Sequence, residues 1–305
     1  MLRKKLYFCN AFFEWELDKK KSVTIEEGLR AHPLFFQLHY LPLLFADHVL
    51  LAKAPPRNFP TQAKIHLLSD QNFSDFELTS YAPTHSLQQW AKEKKIPYQI
   101  PPLDLVEEIT SKVFSFENTQ QLPGSKILHS LDETKAWLAV GKFPKVLKTP
   151  FGFSGTGHTI LRHADANISK LQFPLIGEPW VERTLDFSTH YEVGESITCV
   201  GKTTMQNSAR GSFLSCTTDA DTPQVDHLPL LQKIQKRGFF GPISIDSFVY
   251  EEGIHPVVEI NPRHTMSSIA VLIAKKLGYP IKLTYGSHGN LLPAGYRKNL
   301  SIVRV

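Results

Sequence analysis

Cysteine is scarce in this chain: Cys9, Cys199 and Cys216 are the three among 305 residues, with no CxxC spacing and no paired framework. That argues against a cysteine-built zinc site and a disulfide scaffold, and it points to a reducing cytoplasm. Long apolar runs are missing as well. No stretch approaches the roughly 20 residues that span a bilayer, and the N-terminus has no apolar segment ending in a small-residue cleavage site, so neither membrane nor secretion is expected. The most apolar run, Pro33 to Phe45, is broken by Gln37, His39 and Pro42 and reads as a buried helix with its exit. There is no internal repeat and no low-complexity tract, and the 13 histidines show no HxxxH ligand spacing. Neither Ser154 nor Ser196 lies in a GxSxG setting, which disfavours a serine hydrolase.

What is present is a globular composition: 42% hydrophobic residues, enough length for two domains, and 34 basic against 29 acidic side chains. The basic excess of +5 is interspersed rather than blocked, and suits anionic small ligands at least as well as nucleic acid. Leu6 to Asn10, His48 to Ala52 and Ile65 to Leu68 read as strands alternating with helices, a small α/β domain. A helix beginning near Ser86, capped by that serine, precedes the proline cluster at Pro101 and Pro102, which is the expected boundary. Beyond it the spacing predicts a helix from Leu103 to about Thr119, a strand at Lys126–Leu128, a helix from Asp132 to Val140 and a strand at Lys145–Lys148. A glycine-rich loop and a strand from Thr159 follow.

The most informative stretch runs from Gly241 to Arg263. Ile243–Tyr250 and Pro256–Ile260 are rich in β-branched residues, and Glu251-Glu252-Gly253 supplies turn chemistry. A turn centred between Glu252 and Gly253 sets Asp246 opposite Glu259, with opposed Cβ atoms about 5 Å apart, and Asn261 shares the face of Glu259. Two carboxylates that close repel each other unless a cation lies between them, and an all-oxygen set with few protein ligands suits Mg²⁺ arriving with substrate phosphates. Arg263 follows after Pro262.

Two further elements face phosphate. Gly152, Gly155 and Gly157 lie between two expected strands with Lys148 ahead of them. A Walker loop or dinucleotide fingerprint opens a helix instead, so neither fits. Backbone amides in such a loop can still close over phosphate oxygens. Glu178-Pro179-Trp180-Val181 follows a short apolar strand, with Asp186 eight residues after Glu178. Such a segment can offer main-chain groups to an adenine edge and a carboxylate to ribose hydroxyls.

Taken in order, Lys112, Lys148 with its glycine loop, Glu178-Pro-Trp-Val, Asp186, Gly-Pro-Ile-Ser-Ile-Asp246 and Glu259-Ile-Asn-Pro-Arg263 resemble the ATP-grasp superfamily over roughly residues 100 to 270. Thr110-Ser-Lys112-Val-Phe-Ser is similar to the Asn-Ser-Lys-x-Phe-Ser opening of uncharacterised members, with threonine in place of asparagine. The resemblance implies an α/β (α+β) chain in which a small Rossmann-like domain, residues 1–102, precedes an ATP-grasp domain, residues 103–305. The lid subdomain is expected at about 115–180 and the metal and phosphate subdomain at about 181–305.

By the same resemblance, Lys112 and Lys148 reach the α and β phosphates of ATP, and Gly155, Thr156 and Gly157 close over the β and γ phosphates. Glu178, Pro179, Trp180 and Val181 border adenine, and Asp186 holds the ribose. Asp246, Glu259 and Asn261 match Mg²⁺ ligands, with Mn²⁺ an admissible substitute, and Arg263 and Lys148 act on the transferred phosphoryl group. Ser111 stands where an acid commonly precedes the first lysine, so Lys126 and Lys135 remain rivals of Lys112. His158 and His264 flank the loop and the arginine, where ordinary structural histidines account for both.

The implied activity is an ADP-forming ligase that joins a carboxylate to an amine or thiol. A phosphotransferase and a non-catalytic nucleotide-binding module are the alternatives, the latter favoured slightly by the short tail after Asn299. The expected partners are a small-molecule carboxylate and an amine, with no nucleic acid and no membrane; a homodimer is admitted. Asn10, Glu14, Trp90 and Arg210 are the residues to inspect for the acceptor pocket.

Overall fold

The computed structural model describes residues 3–19, 23–152, 157–164, 168, 171–208, 211–293 and 298–305. Its first sheet is parallel, with strands β1 (Lys4–Phe8), β2 (His48–Leu51), β3 (Lys64–Leu67) and β4 (Phe76–Ser80) in the order β3-β2-β1-β4. The first strand lies two residues earlier than the sequence predicts, and β4 has no counterpart among the expectations. Helices α1 (Phe13–Lys19), α2 (Ile25–Ala31), α3 (Pro33–Leu38) and α4 (His85–Glu93) accompany this sheet. The cap of α4 is Thr84 rather than Ser86: the Thr84 hydroxyl accepts from Leu87 N, while Ser86 is engaged by Glu16 through its N–H at 2.9 Å and its hydroxyl at 2.6 Å.

A linking pair of helices, α5 (Leu103–Thr110) and α6 (Lys112–Asn118), replaces the single helix expected over 103–119. Ser111 breaks it. Its backbone is extended (φ −67°, ψ 131°) and its hydroxyl accepts from Val113 N, so it caps a new helix instead of continuing the old one.

The second sheet is small and antiparallel: β5 (Lys126–Leu128), β6 (Lys145–Lys148), β7 (His158–Leu161) and β8 (Leu175–Pro179), ordered β5-β8-β6-β7. It has its own core of Leu128, Trp137, Leu147, Leu161 and Leu175, to which α7 (Leu131–Leu138) contributes. Lys145 is buried here with its ammonium donating to Trp137 O at 2.7 Å.

The third sheet is antiparallel and seven-stranded: β9 (Arg183–Val193), β10 (Ile197–Asn207), β11 (Phe213–Thr218), β12 (Gly241–Tyr250), β13 (Gly253–Asn261), β14 (Ile281–Gly286) and β15 (Asn299–Arg304). Its order is β13-β12-β9-β10-β11-β14-β15. The stretch after Asn299, expected as a short tail, is thus an edge strand paired along β14. Helices α8 (Leu228–Lys236) and α9 (Met266–Leu277) complete the fold. α9 lies against β10 and β11; a Cβ on Gly201 would come within 2.8 Å of Val271, so only glycine allows this approach. Ile269, Ile273, Leu283 and Leu300 share one buried cluster with Cys9, Val49 and Leu51, which joins this sheet to the parallel one.

Candidate active site

The site is built around the β12–β13 hairpin. Its turn pairs Tyr250 with Gly253, one residue earlier than the sequence predicts, and Phe248 pairs with His255. Continued evenly, that register would leave Asp246 opposite Val257. Asp246 instead faces Glu259, because β13 carries two more residues than β12 between these pairs. The irregularity falls between His255 and Glu259, a stretch that includes Pro256, which has no N–H for the ladder. The Pro256 carbonyl accepts from Ser247 Oγ at 2.6 Å and from His227 Nε2 at 2.9 Å. The expected pairing therefore holds, by a route that turn chemistry alone does not disclose.

Register spreads this face inward. Asp246 pairs with Ser188 of β9, Asp186 pairs with Phe248 of β12 and with Met205 of β10, and Asn261 pairs with Ser244. Directly paired residues share a face, as do residues two apart on a strand, so Asp186, Asp246, Glu259 and Asn261 project together. All four line one cleft of about 1190 Å³, along with Lys112, Lys148, Gly152, Trp180, Val181 and Arg263.

Inside it the Asn261 amide donates to Asp246 Oδ2 at 3.3 Å. Burial, and next the Glu259 carboxylate, push the Asp246 carboxyl up to about 7. Burial also works against Glu259, but the Lys112 ammonium, 3.0 Å from its Oε1, outweighs it and holds the carboxyl below its ordinary range. Two opposed carboxylates with one driven toward protonation, beside an amide oxygen, fit a hard divalent cation that keeps waters and substrate phosphates as its other ligands. Among the described residues no group of three His, Cys, Asp or Glu is placed to hold a metal ion by itself.

Lys112 is the first residue of α6. Its N–H donates to Pro150 O at 2.8 Å and its ammonium to Gly152 O at 3.0 Å, which ties the helix to the start of the glycine loop. The rivals Lys126 and Lys135 do not line the cleft. Lys148 ends β6 and lies 2.5 Å from Glu178 of β8, both almost fully buried. Burial raises the Glu178 carboxyl, yet Lys148 prevails and the net shift is downward. Glu178 and Pro179 form the strand leading to the cleft without lining it, whereas Trp180 and Val181 reach it. Asp186 is met by Arg183 Nη1 at 3.1 Å.

Of the loop residues, Gly155 and Thr156 lie outside the described residues. Gly157 sits at the hairpin base at φ +79°, where a Cβ would come 2.1 Å from Thr149 Oγ1, and its carbonyl accepts from Thr149 N at 3.0 Å. His158 lines the cleft with part of its surface exposed, and desolvation, then the Lys148 and Lys112 charges, lower its pKa to about 4. His264 is likewise driven to about 4 by burial.

Arg263 contacts Glu14 of α1 through Nη2 and donates from Nη1 to His264 O at 3.1 Å. Its guanidinium carbon lies 5.8 Å from the Phe13 ring centre and 5.9 Å from that of Tyr81. Phe13, Leu34, Phe35, Leu38, Tyr81 and Met266 also line the cleft, and no motif announces them. Of the residues singled out for the acceptor pocket, Glu14 lines the cleft. Asn10 is buried in bonds to Ala82 O at 2.7 Å and Ala82 N at 3.0 Å, Trp90 packs on Phe73, and Arg210 lies outside the described residues.

No protein-family model and no curated protein sequence matches the chain. Solved structures do. An ATP-grasp superfamily protein from Archaeoglobus fulgidus superposes with a TM-score of 0.55 at 12% identity, over 99% of this chain and 99% of that one. N5-carboxyaminoimidazole ribonucleotide synthetase, in its ADP complex, gives a TM-score of 0.58 at 11% identity over 99% and 92%. The biotin carboxylase domain of 2-oxoglutarate carboxylase from Hydrogenobacter thermophilus, in complex with MgADP, ADP and bicarbonate, gives 0.55 at 14% identity over 93% and 75%. The chain has the ATP-grasp fold. Among the described residues, no helix is long and apolar enough to cross a membrane.

Proposed function

We propose that the protein is an ATP-dependent ligase that joins a small-molecule carboxylate to an amine or thiol through an acylphosphate, with Mg²⁺ as the metal and Mn²⁺ as its substitute. The observation that carries this reading is the meeting of Lys112, Lys148, Asp186, Asp246, Glu259, Asn261 and Arg263 in one cleft. The ADP-bound neighbours of the same fold support it. We take residues 1–102 as the preceding domain and 103–305 as the ATP-grasp domain; the parallel sheet within the first stretch and the two antiparallel sheets within the second support that division.

In this reading Lys112 and Lys148 hold the α and β phosphates, Trp180 and Val181, the part of the Glu178–Val181 segment that lines the cleft, border adenine, and Asp186 receives the ribose. Asp246, Glu259 and Asn261 hold Mg²⁺, which when bound screens the phosphate charge. A substrate carboxylate attacks the γ-phosphoryl group in line and ADP leaves. Lys148 spreads the charge that develops, and Arg263 steadies the tetrahedral oxyanion as the nucleophile displaces phosphate, where one donor contributes about 3 kcal/mol. The reducing cytoplasm is the proposed location, in keeping with three free cysteines.

Product analysis tests the proposal. ADP and phosphate in equal amounts from an acid and an amine mean ligation. ADP with a phosphorylated acceptor means a kinase, and saturable nucleotide binding without turnover means a binding module.

A further inference from the structure

At about 1190 Å³ the cleft exceeds the roughly 300–1,000 Å³ of pockets that hold one small molecule, so it has room for a second ligand beside a nucleotide. One part of its wall differs from the phosphate-facing part. Phe13, Leu34, Phe35, Leu38 and Tyr81 come from the N-terminal segment and Met266 from the first turn of α9. Within this apolar wall stands one ion pair. Glu14 gives Oε1 to the Arg263 guanidinium, while its Oε2 is buried and makes no hydrogen bond. A buried carboxylate oxygen without a donor is costly, and the Phe13 and Tyr81 ring centres lie 5.8 and 5.9 Å from the Arg263 guanidinium carbon.

We infer that the acid activated here is an α-amino acid with an apolar side chain, bound with its carboxylate toward Arg263, its α-ammonium on Glu14 Oε2 and its side chain against the apolar wall. Adjacent charges of opposite sign match a zwitterion. A plain apolar acid leaves Glu14 Oε2 without a donor, and a dicarboxylate brings a second negative charge toward Glu14. The inference rests on the ligase reading: a carboxylate oxygen forms a bond to the γ-phosphorus, the bond from that phosphorus to the β,γ-bridging oxygen breaks, and ADP carries away the electron pair.

Calorimetric titration with leucine, 4-methylpentanoate and aspartate tests it, with and without Mg²⁺ and a non-hydrolysable ATP analogue. Leucine is expected to bind about 10- to 100-fold more tightly than 4-methylpentanoate, the size of one charged hydrogen bond. Glu14→Gln, with folding checked by circular dichroism, is expected to bring that ratio close to one. Leu38→Trp shortens the apolar end and is expected to move the preference from leucine to alanine. Equal binding of leucine and 4-methylpentanoate by the unaltered protein, or tighter binding of aspartate, overturns the inference whatever the variants do. Leucine binding with the expected ratio but no ADP release with any amine instead counts against the ligase reading and leaves the amino-acid site standing. ADP release driven only by acids that lack an amine does the reverse.

Discussion

The Lys112 ammonium lies 3.0 Å from the Glu259 carboxylate, across 147 residues of sequence. The side chain proposed for nucleotide phosphate and the one proposed for the metal therefore neutralise each other, and under the proposed function Mg·ATP would exchange this internal partner for two external ones. Lys112→Met separates the two roles. Removing the positive charge is expected to tighten Mn²⁺ binding in the absence of nucleotide by about tenfold, while weakening ATP binding by about 10- to 100-fold. Mn²⁺ titration followed by electron paramagnetic resonance, beside nucleotide calorimetry, reads both; losses of the same sign would count against the exchange.

Glu259→Gln keeps an acceptor for Lys112 but removes one of the two carboxylates offered to the metal. Turnover is expected to fall by about 10²- to 10³-fold with an unchanged circular dichroism spectrum. A fully active variant contradicts the metal site as drawn.

The Lys148–Glu178 pair is enclosed, with side-chain exposures of 5% and 9%. Glu178→Ala strands a buried ammonium and is expected to cost about 3–5 kcal/mol in urea unfolding. The double variant Lys148→Met/Glu178→Leu should recover most of that stability without recovering nucleotide affinity. Recovery of both would assign Lys148 a packing role only.

Acid sensitivity follows from His190, whose ring is held between Ser244 Oγ at 2.8 Å and Thr203 Oγ1 at 3.1 Å. Burial, then the nearby His264, lower its pKa from 6.5 to about 3. The unfolded chain therefore binds the extra proton between these values, so the stabilising contribution is complete above about pH 6.5 and is lost as pH falls toward 3, at about 1.4 kcal/mol per pH unit. His39, His255 and His264, each lowered to about 4 by burial, act in the same direction. Urea midpoints between about pH 4.5 and 7 should show the slope, and His190→Gln should reduce it by about one proton.

The hairpin and the lysine-rooted loop were legible because their signals are local. Alternating β-branched residues in 243–250 mark a strand whichever sheet it joins. Strands β9, β10 and β11 gave no such signal, since the face they turn to the cleft is polar. Ser188, His190 and Thr203 occupy positions where apolar alternation would have shown, and cross-strand hydrogen bonds make two of them fit for burial. The broken helix at Ser111 was legible only in part, because a serine there caps or continues a helix depending on what its neighbours meet.

The residue types of the site and the order in which they arrive are written locally in the chain: a lysine before glycines, an acid in each arm of a hairpin, an arginine after its end. Only long-range packing brings Lys112, and not Lys126 or Lys135, into the cleft, restores Asp246 to Glu259 through a bulge between His255 and Glu259, and sets Glu14 against Arg263 across 249 residues. The reason is one of range. Strand period and turn chemistry act over a few neighbouring residues, whereas a contact between distant segments depends on which apolar faces bury each other, and no local pattern records that choice.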